Sequence, residues 1–319
     1  MPEVLVLSPS FGRWSAAPHR LLQEAGLRVR HPVTQGPLSS EEIQDELGAA
    51  EAVILGLDQM DEAAISAATD LKVIAKHGVG VDNIDLGAAA SRGIEVVNAP
   101  GMNYHAVADL VLGMILSLLR GLPSADASVR AGEWETFHGP EVRELTVGIV
   151  GYGRIGRAVA HRIHGFGASV CAYDPYAPSE AFAGVEQCHT LVDLLRVSDL
   201  VTLHLPGGQN GPLIGPVELR LLDGGYLINA ARGDLVDEAA VAGALGQGRL
   251  RGYAADAFTQ EPLTDSPLLE APHTLFSPHI GAFTNATNQR MGEAVVEDII
   301  AVLRGDVPTR TVLPAHVTG

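Results

Sequence analysis

A short glycine-rich segment constrains the fold of this chain more than any other feature. The apolar run Thr146–Val150 leads directly into Gly151-Tyr152-Gly153-Arg154-Ile155-Gly156, and a helical pattern begins at Arg154. In a G-x-G-x-x-G turn the first glycine permits a tight bend, the second lets a diphosphate approach the backbone, and the third lets the helix pack on the strand. Free N–H groups at the helix N-terminus favour an anion. The segment therefore predicts a dinucleotide-binding turn.

The residue that ends the next predicted strand favours one of the two common dinucleotides. Ala168–Tyr173 reads as a strand and is followed by Asp174. A carboxylate at this position accepts hydrogen bonds from the ribose hydroxyls of the adenosine and would repel a 2′-phosphate, which predicts NAD rather than NADP. Arg154, inside the glycine-rich turn, is either a phosphate contact or an ordinary solvated side chain.

Strand and helix patterns alternate along nearly the whole chain. Such alternation predicts parallel sheets that are covered by helices on both faces. Ala99-Pro100-Gly101 interrupts the pattern and separates a first α/β unit from a second one. The last predicted helix, about Thr287–Leu303, could pack back on the first unit. We therefore predict one domain of residues 1–100 plus 286–319 and a second domain of residues 101–285.

Composition argues against several classes of partner. The 319 residues carry a formal net charge of −17, whereas nucleic acid and anionic membranes require basic patches. Cys171 and Cys188 are too few for a disulfide framework or a four-ligand metal site, so we expect reduced thiols, no bound metal and a cytoplasmic location. We expect no signal peptide at the N-terminus. The apolar stretch Ala106–Leu119 is shorter than the ~20 residues of a membrane span, and we expect a helix that is buried on most sides and could lie between domains or subunits.

Three segments that follow predicted strands carry side chains suited to acid–base chemistry. Ligands of an open parallel sheet bind beyond the carboxyl ends of its strands. Arg232 follows one strand, and its guanidinium could hold a carboxylate in bidentate fashion. Asp256 and Glu261 follow a second strand, and His279 follows a third. Because histidine titrates near neutral pH, His279 is the predicted proton donor and acceptor, with Glu261 fixing its tautomer.

These segments, together with two others, resemble the D-isomer-specific 2-hydroxyacid dehydrogenases over nearly the whole chain. The two others are Gly78–Asp85 and Asn98–Gly101. Within that family, which includes glyoxylate/hydroxypyruvate reductases, the chain looks most like a phosphoglycerate dehydrogenase without its regulatory domain. The resemblance implies two doubly wound parallel-sheet domains, a flavodoxin-like substrate domain and a Rossmann NAD-binding domain, with the site in a cleft between them. It also implies a homodimer formed through the cofactor domain.

The resemblance further implies a role for individual residues. Arg232, Glu261 and His279 would be catalytic, with Arg232 binding the substrate carboxylate. Asp256 would contact the nicotinamide carboxamide. In the turn His77-Gly78-Val79-Gly80, the backbone amides of Val79 and Gly80 would hold the substrate carboxylate. The predicted cofactor contacts are Gly151, Gly153, Arg154, Ile155, Gly156, Asp174, His204, Pro206, Ala230, Asp256 and Gly281.

The identity of the substrate is left open by the sequence. Arg13, Lys76 and His77 could form a second positive spot for a distal phosphate or phosphonate, or they could be ordinary side chains. Tyr104-His105 stands at a place where small or basic residues are more usual in the family, and His105 could therefore face the substrate. We therefore expect an NAD-dependent 2-keto acid reductase that acts on a small anionic acid, such as one resembling 3-phosphoglycerate. The alternatives are a glyoxylate/hydroxypyruvate-type reductase and an NAD-sensing, corepressor-like binding module.

Overall fold

The computed structural model of the chain describes residues 1–33, 37–207 and 211–312. Contacts between Cα atoms divide the chain into two compact units. Unit 1 comprises Met1–Asn103 together with Ala282–Gly319, and unit 2 comprises Tyr104–Gly281. The last helix of the chain is therefore part of unit 1, and the chain enters and leaves unit 2 once.

Unit 1 contains a five-stranded parallel sheet in the order β2-β1-β3-β4-β5. This is the strand order of flavodoxin, as the resemblance implied. The strands are β1 Glu3–Val6, β2 Arg28–Arg30, β3 Ala52–Leu55, β4 Val73–Lys76 and β5 Glu95–Val97. The helices are α1 Ala17–Glu24, α2 Ser40–Leu47, α3 Glu62–Ala67, α4 Leu86–Ser91 and α11 Asn285–Arg304.

The central strands of unit 1 are short apolar runs because helices cover both faces of the sheet. Every residue of β1, β3 and β4 is buried. Polar side chains start several of the helices: Ser39 and Glu42 form a reciprocal capping box at α2, and Asp61 and Asp85 cap α3 and α4. Such caps satisfy N–H groups that have no partner within the helix.

Unit 2 contains a seven-stranded parallel sheet in the order β12-β11-β10-β9-β6-β7-β8. This is a Rossmann order with one additional strand, and the strand order reverses between β6 and β9, where ligands of such sheets bind. The strands are β6 Thr146–Val150, β7 Ser169–Tyr173, β8 Glu186–Gln187, β9 Leu200–Leu203, β10 Tyr226–Asn229, β11 Gly252–Ala255 and β12 Thr274–Phe276. The helices are α5 Tyr104–Arg120, α6 Leu122–Arg130, α7 Arg154–His164, α8 Leu191–Val197, α9 Pro216–Leu221 and α10 Glu238–Gly246.

The long apolar helix α5 is covered largely by its own unit. Its buried face, which includes Val111, Met114 and Ile115, packs against α7 and against β10 to β12. Packing within unit 2 therefore accounts for the apolar composition of α5, which does not require a position between domains or subunits. Among the described residues, no single helix is long and apolar enough to cross a membrane. Helices α5 and α6 meet that criterion only as a pair, and the pair is bent by 62°.

Candidate active site

The glycine-rich turn between β6 and α7 has the geometry that its sequence predicts. Gly151 has φ +91°, and a Cβ atom there would lie 2.5 Å from the carbonyl oxygen of His204. A Cβ atom on Gly156 would lie 2.2 Å from the carbonyl oxygen of Gly151. Within the described part of the chain, no heavy atom lies within 4 Å of the position that a Cβ atom on Gly153 would occupy. Two glycines are thus required by packing, whereas Gly153 leaves open space at the N-terminus of α7.

Asp174 lies directly beyond β7 and is held by backbone donors. Its carboxylate accepts hydrogen bonds from the backbone N–H groups of Tyr152 at 2.8 Å and Tyr176 at 2.9 Å. Each carboxylate oxygen has a further lone pair, so two hydroxyl donors can still be accepted. Asp174 is therefore fixed relative to the glycine-rich turn, because Tyr152 belongs to that turn.

His204 presents a neutral imidazole at the reversal point of the sheet. Its backbone N–H donates to Val150 at 2.7 Å, and its Nε2 lies 3.0 Å from Thr202 Oγ1. Burial lowers the pKa of His204 to about 3. Its Nδ1 is buried and has no hydrogen-bond partner among the described residues. Pro206 and Ala230 lie beyond the ends of β9 and β10, and Arg154 and Ile155 lie in the first turn of α7.

These features fit a bound dinucleotide. The open space at Gly153 would admit a diphosphate close to the backbone, and the N-terminus of the eleven-residue helix α7 would favour its charge. The carboxylate of Asp174 has acceptor capacity for a ribose. In the described part of the chain, His204 beside the turn has a buried ring nitrogen without a hydrogen-bond partner.

The loop after β10 is shaped by a buried asparagine. Asn229 is fully buried, its Nδ2 donates to the Arg232 carbonyl oxygen at 2.8 Å, and its Oδ1 accepts from the Ala231 N–H at 3.1 Å. The next residue after Arg232, Gly233, brings two loops together, since a Cβ atom there would lie 1.8 Å from the carbonyl carbon of Phe258. Arg232 is thereby placed close to the loop after β11, and its charge acts on the Glu261 carboxylate.

Glu261 and His279 form a hydrogen-bonded pair. His279 Nδ1 lies 2.8 Å from Oε2 and 3.0 Å from Oε1 of Glu261, and the Phe258 N–H donates to Oε1 at 3.0 Å. Burial raises the pKa of Glu261, but the hydrogen bond and charge of His279, the Phe258 N–H and the charge of Arg232 together hold that pKa below 4.5. An ionised carboxylate carries no proton, so the proton of this pair lies on Nδ1. The Nε2 atom of His279 is then available for proton transfer.

Asp256, whose predicted contact with the nicotinamide stays a prediction, is hydrogen-bonded within the protein. The residue is 2% exposed, and its carboxylate accepts hydrogen bonds from the Ser277 hydroxyl, the Ile280 N–H and the Gly281 N–H. Three of its roughly four acceptor positions are therefore used within the protein. The Gly281 N–H is likewise occupied, so the predicted cofactor contact of Gly281 would have to use its other backbone atoms.

Two of the three residues of the predicted positive spot, Lys76 and His77, are buried in unit 1. His77 is 6% exposed, its Nδ1 lies 3.1 Å from Ser10 Oγ, and its Nε2 lies 3.3 Å from the carbonyl oxygen of Asn288. Burial lowers the pKa of His77 to about 4, so its ring is neutral at pH 7. The Lys76 ammonium donates to Asn83 Oδ1 at 2.7 Å and to the Gly56 carbonyl oxygen. Lys76 and His77 are therefore buried, hydrogen-bonded side chains at the end of β4 and not surface cations.

The third expected cation, Arg13, is exposed, and its guanidinium carbon lies 5.2 Å from the centre of the Trp14 ring. His105, in unit 2, is also exposed. It packs against Tyr104 and lies 3.3 Å from the Arg162 guanidinium, beside a surface cavity of about 380 Å³. The substrate contacts of Arg13 and His105 stay predictions.

The turn Gly78-Val79-Gly80 is held by a residue that the sequence reasoning did not single out. Asn98 Nδ2 donates to the Val79 carbonyl oxygen at 2.6 Å. In a trans peptide the C=O and the following N–H point in opposite directions, so this bond directs the Gly80 N–H away from Asn98. The sequence showed only that Asn98 belongs to the family motif Asn98–Gly101. The hydrogen-bond partner of Asn98 is defined by the fold.

Unit 2 therefore combines a Rossmann strand order, a dinucleotide-binding turn and an acid–base pair at the carboxyl ends of its strands. Comparison with known proteins agrees with this class. The family profile described as D-isomer specific 2-hydroxyacid dehydrogenase, NAD binding domain, matches residues 112–281. The chain belongs to the D-isomer-specific 2-hydroxyacid dehydrogenase family, and its second unit is the NAD-binding domain of that family.

Individual relatives are similar over most of the chain. The D-3-phosphoglycerate dehydrogenase of Mycobacterium tuberculosis is 43% identical over 252 residues, which cover 77% of this chain and 48% of the relative. The chain spans about half the length of the curated relatives it matches. The crystal structure of TT0316 protein from Thermus thermophilus is 35% identical, has a TM-score of 0.88, and is matched over 98% of this chain and 100% of that chain.

A glyoxylate reductase from Paecilomyes thermophila is more distant in sequence. It is 28% identical with a TM-score of 0.84, and 98% of each chain is covered. The likeness thus extends over both units of the chain.

Proposed function

We propose that this protein is an NAD-dependent dehydrogenase that interconverts a small anionic D-2-hydroxy acid and the corresponding 2-keto acid. One observation carries the proposal: the His279 imidazole donates Nδ1–H to an ionised Glu261 in the NAD-binding unit. That arrangement leaves Nε2 as the group that exchanges a proton with a substrate oxygen. Membership of the family supports the same reaction class.

Three side chains of unit 2 account for the chemistry. A bound nicotinamide ring would give or take the hydride. In the reductive direction, protonated His279 donates its Nε2 proton to the substrate carbonyl oxygen as that oxygen gains charge, and Glu261 stabilises the imidazolium beforehand. Arg232 binds the substrate carboxylate through two parallel N–H donors. In the oxidative direction neutral His279 accepts the hydroxyl proton through the same atom.

Two kinds of substrate tail remain as candidates. The relatives named D-3-phosphoglycerate dehydrogenase support an acid with a distal phosphate, for which Arg13 is the remaining candidate cation of the predicted spot. The neutral ring of His77 and the internal hydrogen bonds of Lys76 support the alternative, a glyoxylate/hydroxypyruvate-type substrate with an uncharged tail. A structural neighbour that is a glyoxylate reductase supports this alternative as well.

The test is oxidation of NADH by the purified protein with glyoxylate, hydroxypyruvate, phosphohydroxypyruvate, phosphonopyruvate and pyruvate. Turnover of at least one acid is expected. A preference for the phosphorylated acids that Arg13→Ala reduces would select the first kind of tail. A preference for glyoxylate or hydroxypyruvate that is insensitive to Arg13→Ala would select the second. Tight NADH binding without turnover of any acid would contradict the proposal and favour the NAD-sensing module.

We also propose that the protein is a homodimer formed through unit 2 and is located in the cytoplasm. The helix α5 does not carry this proposal, because its apolar face is buried within the unit. Support comes instead from apolar side chains on α6 and the segment that follows it: Val129 is 56% exposed and Trp134 is 84% exposed. Tryptophan is enriched at protein–protein interfaces relative to the rest of the protein surface. The location rests on the two buried free thiols, Cys171 and Cys188.

The dimer predicts a measurable mass. Light scattering on the size-exclusion peak is expected to give twice the chain mass for the wild type and a lower mass for Trp134→Glu, because a carboxylate would be buried without a partner at the interface. The control is Glu180→Gln, a substitution at an exposed position of unit 2. A wild-type protein that stays at the mass of one chain over micromolar concentrations would contradict the proposal.

A further inference from the structure

The carboxylate of Asp256 binds the two sides of the turn that carries His279. Its Oδ1 accepts from the Ser277 hydroxyl and from the Ile280 N–H at 2.8 Å, and its Oδ2 accepts from the Gly281 N–H at 2.7 Å. All three donors lie within two residues of His279, one before it and two after it. Asp256 itself is fixed, because it follows β11 directly and its backbone N–H donates to Asn229 at 3.0 Å.

The backbone of His279 requires such support. His279 has φ +54°, in the left-handed region that residues other than glycine rarely occupy. Such a conformation is unfavourable and persists only where neighbouring groups determine it. Its own N–H reaches the Ser277 carbonyl oxygen at 3.0 Å, so the turn is tight. Beyond that bond, the carboxylate of Asp256 supplies three hydrogen bonds that hold the turn closed.

Little of the Asp256 carboxylate is left for a ligand. The residue is 2% exposed, and a Cβ atom on Gly281 would lie only 3.1 Å from its Oδ2 and 3.3 Å from Val107 Cγ2. Three of about four acceptor positions are filled by the turn. Burial raises the pKa of Asp256, while the hydrogen bonds from Ser277, Ile280 and Gly281 act in the opposite direction. These bonds therefore offset part of the cost of burying the carboxylate.

We propose that Asp256 is a positioning residue for His279. It holds residues 277–281 in the turn that brings the imidazole Nδ1 within hydrogen-bond distance of Glu261. This inference rests on the proposed function, because it concerns the same acid–base group. It differs from the role of a nicotinamide contact, in which the carboxylate would act on the cofactor. The two roles predict opposite effects on cofactor affinity and on turnover.

The test compares Asp256→Asn with Asp265→Asn, which makes the same chemical change at an exposed position in unit 2. Asparagine has one acceptor oxygen and an NH₂ group, so at least one donor of the turn loses its acceptor. Displacement of a catalytic group by about 1 Å costs on the order of 100-fold in rate, and we expect a fall of this size in kcat for Asp256→Asn. The dissociation constant of NADH, measured by its fluorescence, is expected to change by less than about twofold. Asp265→Asn is expected to match the wild type in both measurements.

A readout other than turnover separates this proposal from the proposed function. Amide hydrogen exchange of Ile280 and Gly281 in the cofactor-free protein is expected to be faster in Asp256→Asn and unchanged in Asp265→Asn. This measurement tests the positioning role even if no 2-keto acid is turned over. If Asp256→Asn does not fold, Ser277→Ala gives the same readouts, with a fall in kcat of up to about tenfold because both backbone bonds remain.

Two results would overturn the inference. One is an NADH dissociation constant that rises more than tenfold while kcat at saturating NADH is unchanged, which would make Asp256 a cofactor contact. The other is unchanged exchange at Ile280 and Gly281 with unchanged kcat, which would mean that the turn holds its conformation without the carboxylate.

Discussion

At the residue scale, the side chains that we propose as catalytic are held in place by hydrogen bonds with neighbouring residues. Buried Asn229 donates a hydrogen bond to the Arg232 carbonyl oxygen, and His279 Nδ1 is hydrogen-bonded to Glu261. The turn around His279 donates hydrogen bonds to Asp256. Arg232, Glu261 and His279 could be singled out in the sequence because side chains suited to carboxylate binding and proton transfer lie in the segments that follow three apolar strands. The contacts of Asn229 and of Asp256 could not be predicted, because they come from burial and hydrogen bonds that only the fold defines. His77 shows the converse, since a histidine that looks cationic in the sequence is buried and neutral.

One residue-scale prediction concerns the charge of Glu261. Glu261→Gln preserves a hydrogen-bond acceptor for His279 Nδ1 but removes the negative charge. A charge-assisted hydrogen bond is worth roughly 1–1.5 kcal/mol more than a neutral one, which corresponds to about a tenfold lower kcat. The check is steady-state turnover at saturating NADH, with the exposed Glu270→Gln as control. An unchanged kcat in Glu261→Gln would contradict the role of the carboxylate.

At the scale of single elements, the most buried strands were the easiest to predict. The apolar run Thr146–Val150 forms β6 with the same bounds, and the strand predicted over Ala168–Tyr173 begins one residue later, at Ser169. The strand β8 has two residues, and α9 has six residues and starts at a proline. Neither is long enough to show a periodicity in the sequence, and neither was predicted. The distinct functions of the glycines in the turn before α7 were predicted from spacing alone.

An element-scale prediction separates two of these glycines. Gly153→Ala should leave the melting temperature unchanged, because Gly153 has φ −75° and a Cβ atom there would meet no heavy atom within 4 Å among the described residues. The methyl group would occupy the space into which we expect the diphosphate to fit, so NADH affinity should fall by at least tenfold. Calorimetry and NADH fluorescence check the two effects.

The companion variant is Gly156→Ala, whose Cβ atom would lie 2.2 Å from the Gly151 carbonyl oxygen. We expect this variant to lower the melting temperature as well as NADH affinity, because α7 must move away from β6. If Gly153→Ala bound NADH as tightly as the wild type, the turn would not be the diphosphate site.

At the scale of the whole molecule, alternation predicted parallel sheets but not the order of their strands. Consecutive strands are often neighbours, yet β3 pairs with β1, and β9 pairs with β6. Neither pairing has a local signal. The resemblance supplied both orders, and the structure agrees with it. Burial of charged groups could not be predicted either. The sequence gives a net charge of −17, but only the fold determines which ionisable side chains are buried.

A prediction at this scale concerns stability in acid. The pKa of His77 is about 4 in the folded protein, because of burial, and near 6.5 when the chain is unfolded. Between these values the unfolded state binds a proton that the folded state does not, so stability falls as pH falls. From pH 7 to pH 5 this histidine should account for a loss of about 2 kcal/mol.

The measurement is the free energy of unfolding in urea at both pH values for the wild type and for His77→Gln. His204, with a pKa of about 3, contributes in the same direction in both proteins. The difference between the two pH dependences therefore isolates His77. Equal pH dependences would mean that His77 is not held neutral in the folded protein.

The measurement that tests the central claim most directly is the turnover of the preferred 2-keto acid by the wild type and by His279→Ala, with the NADH dissociation constant determined for both. Loss of a general acid–base costs about 10²–10⁴ in rate. We expect a fall of that size in kcat, unchanged NADH affinity, and a D-2-hydroxy acid as the product of the wild type. A His279→Ala protein that turns over at the wild-type rate would contradict the account, and so would an L-2-hydroxy acid product.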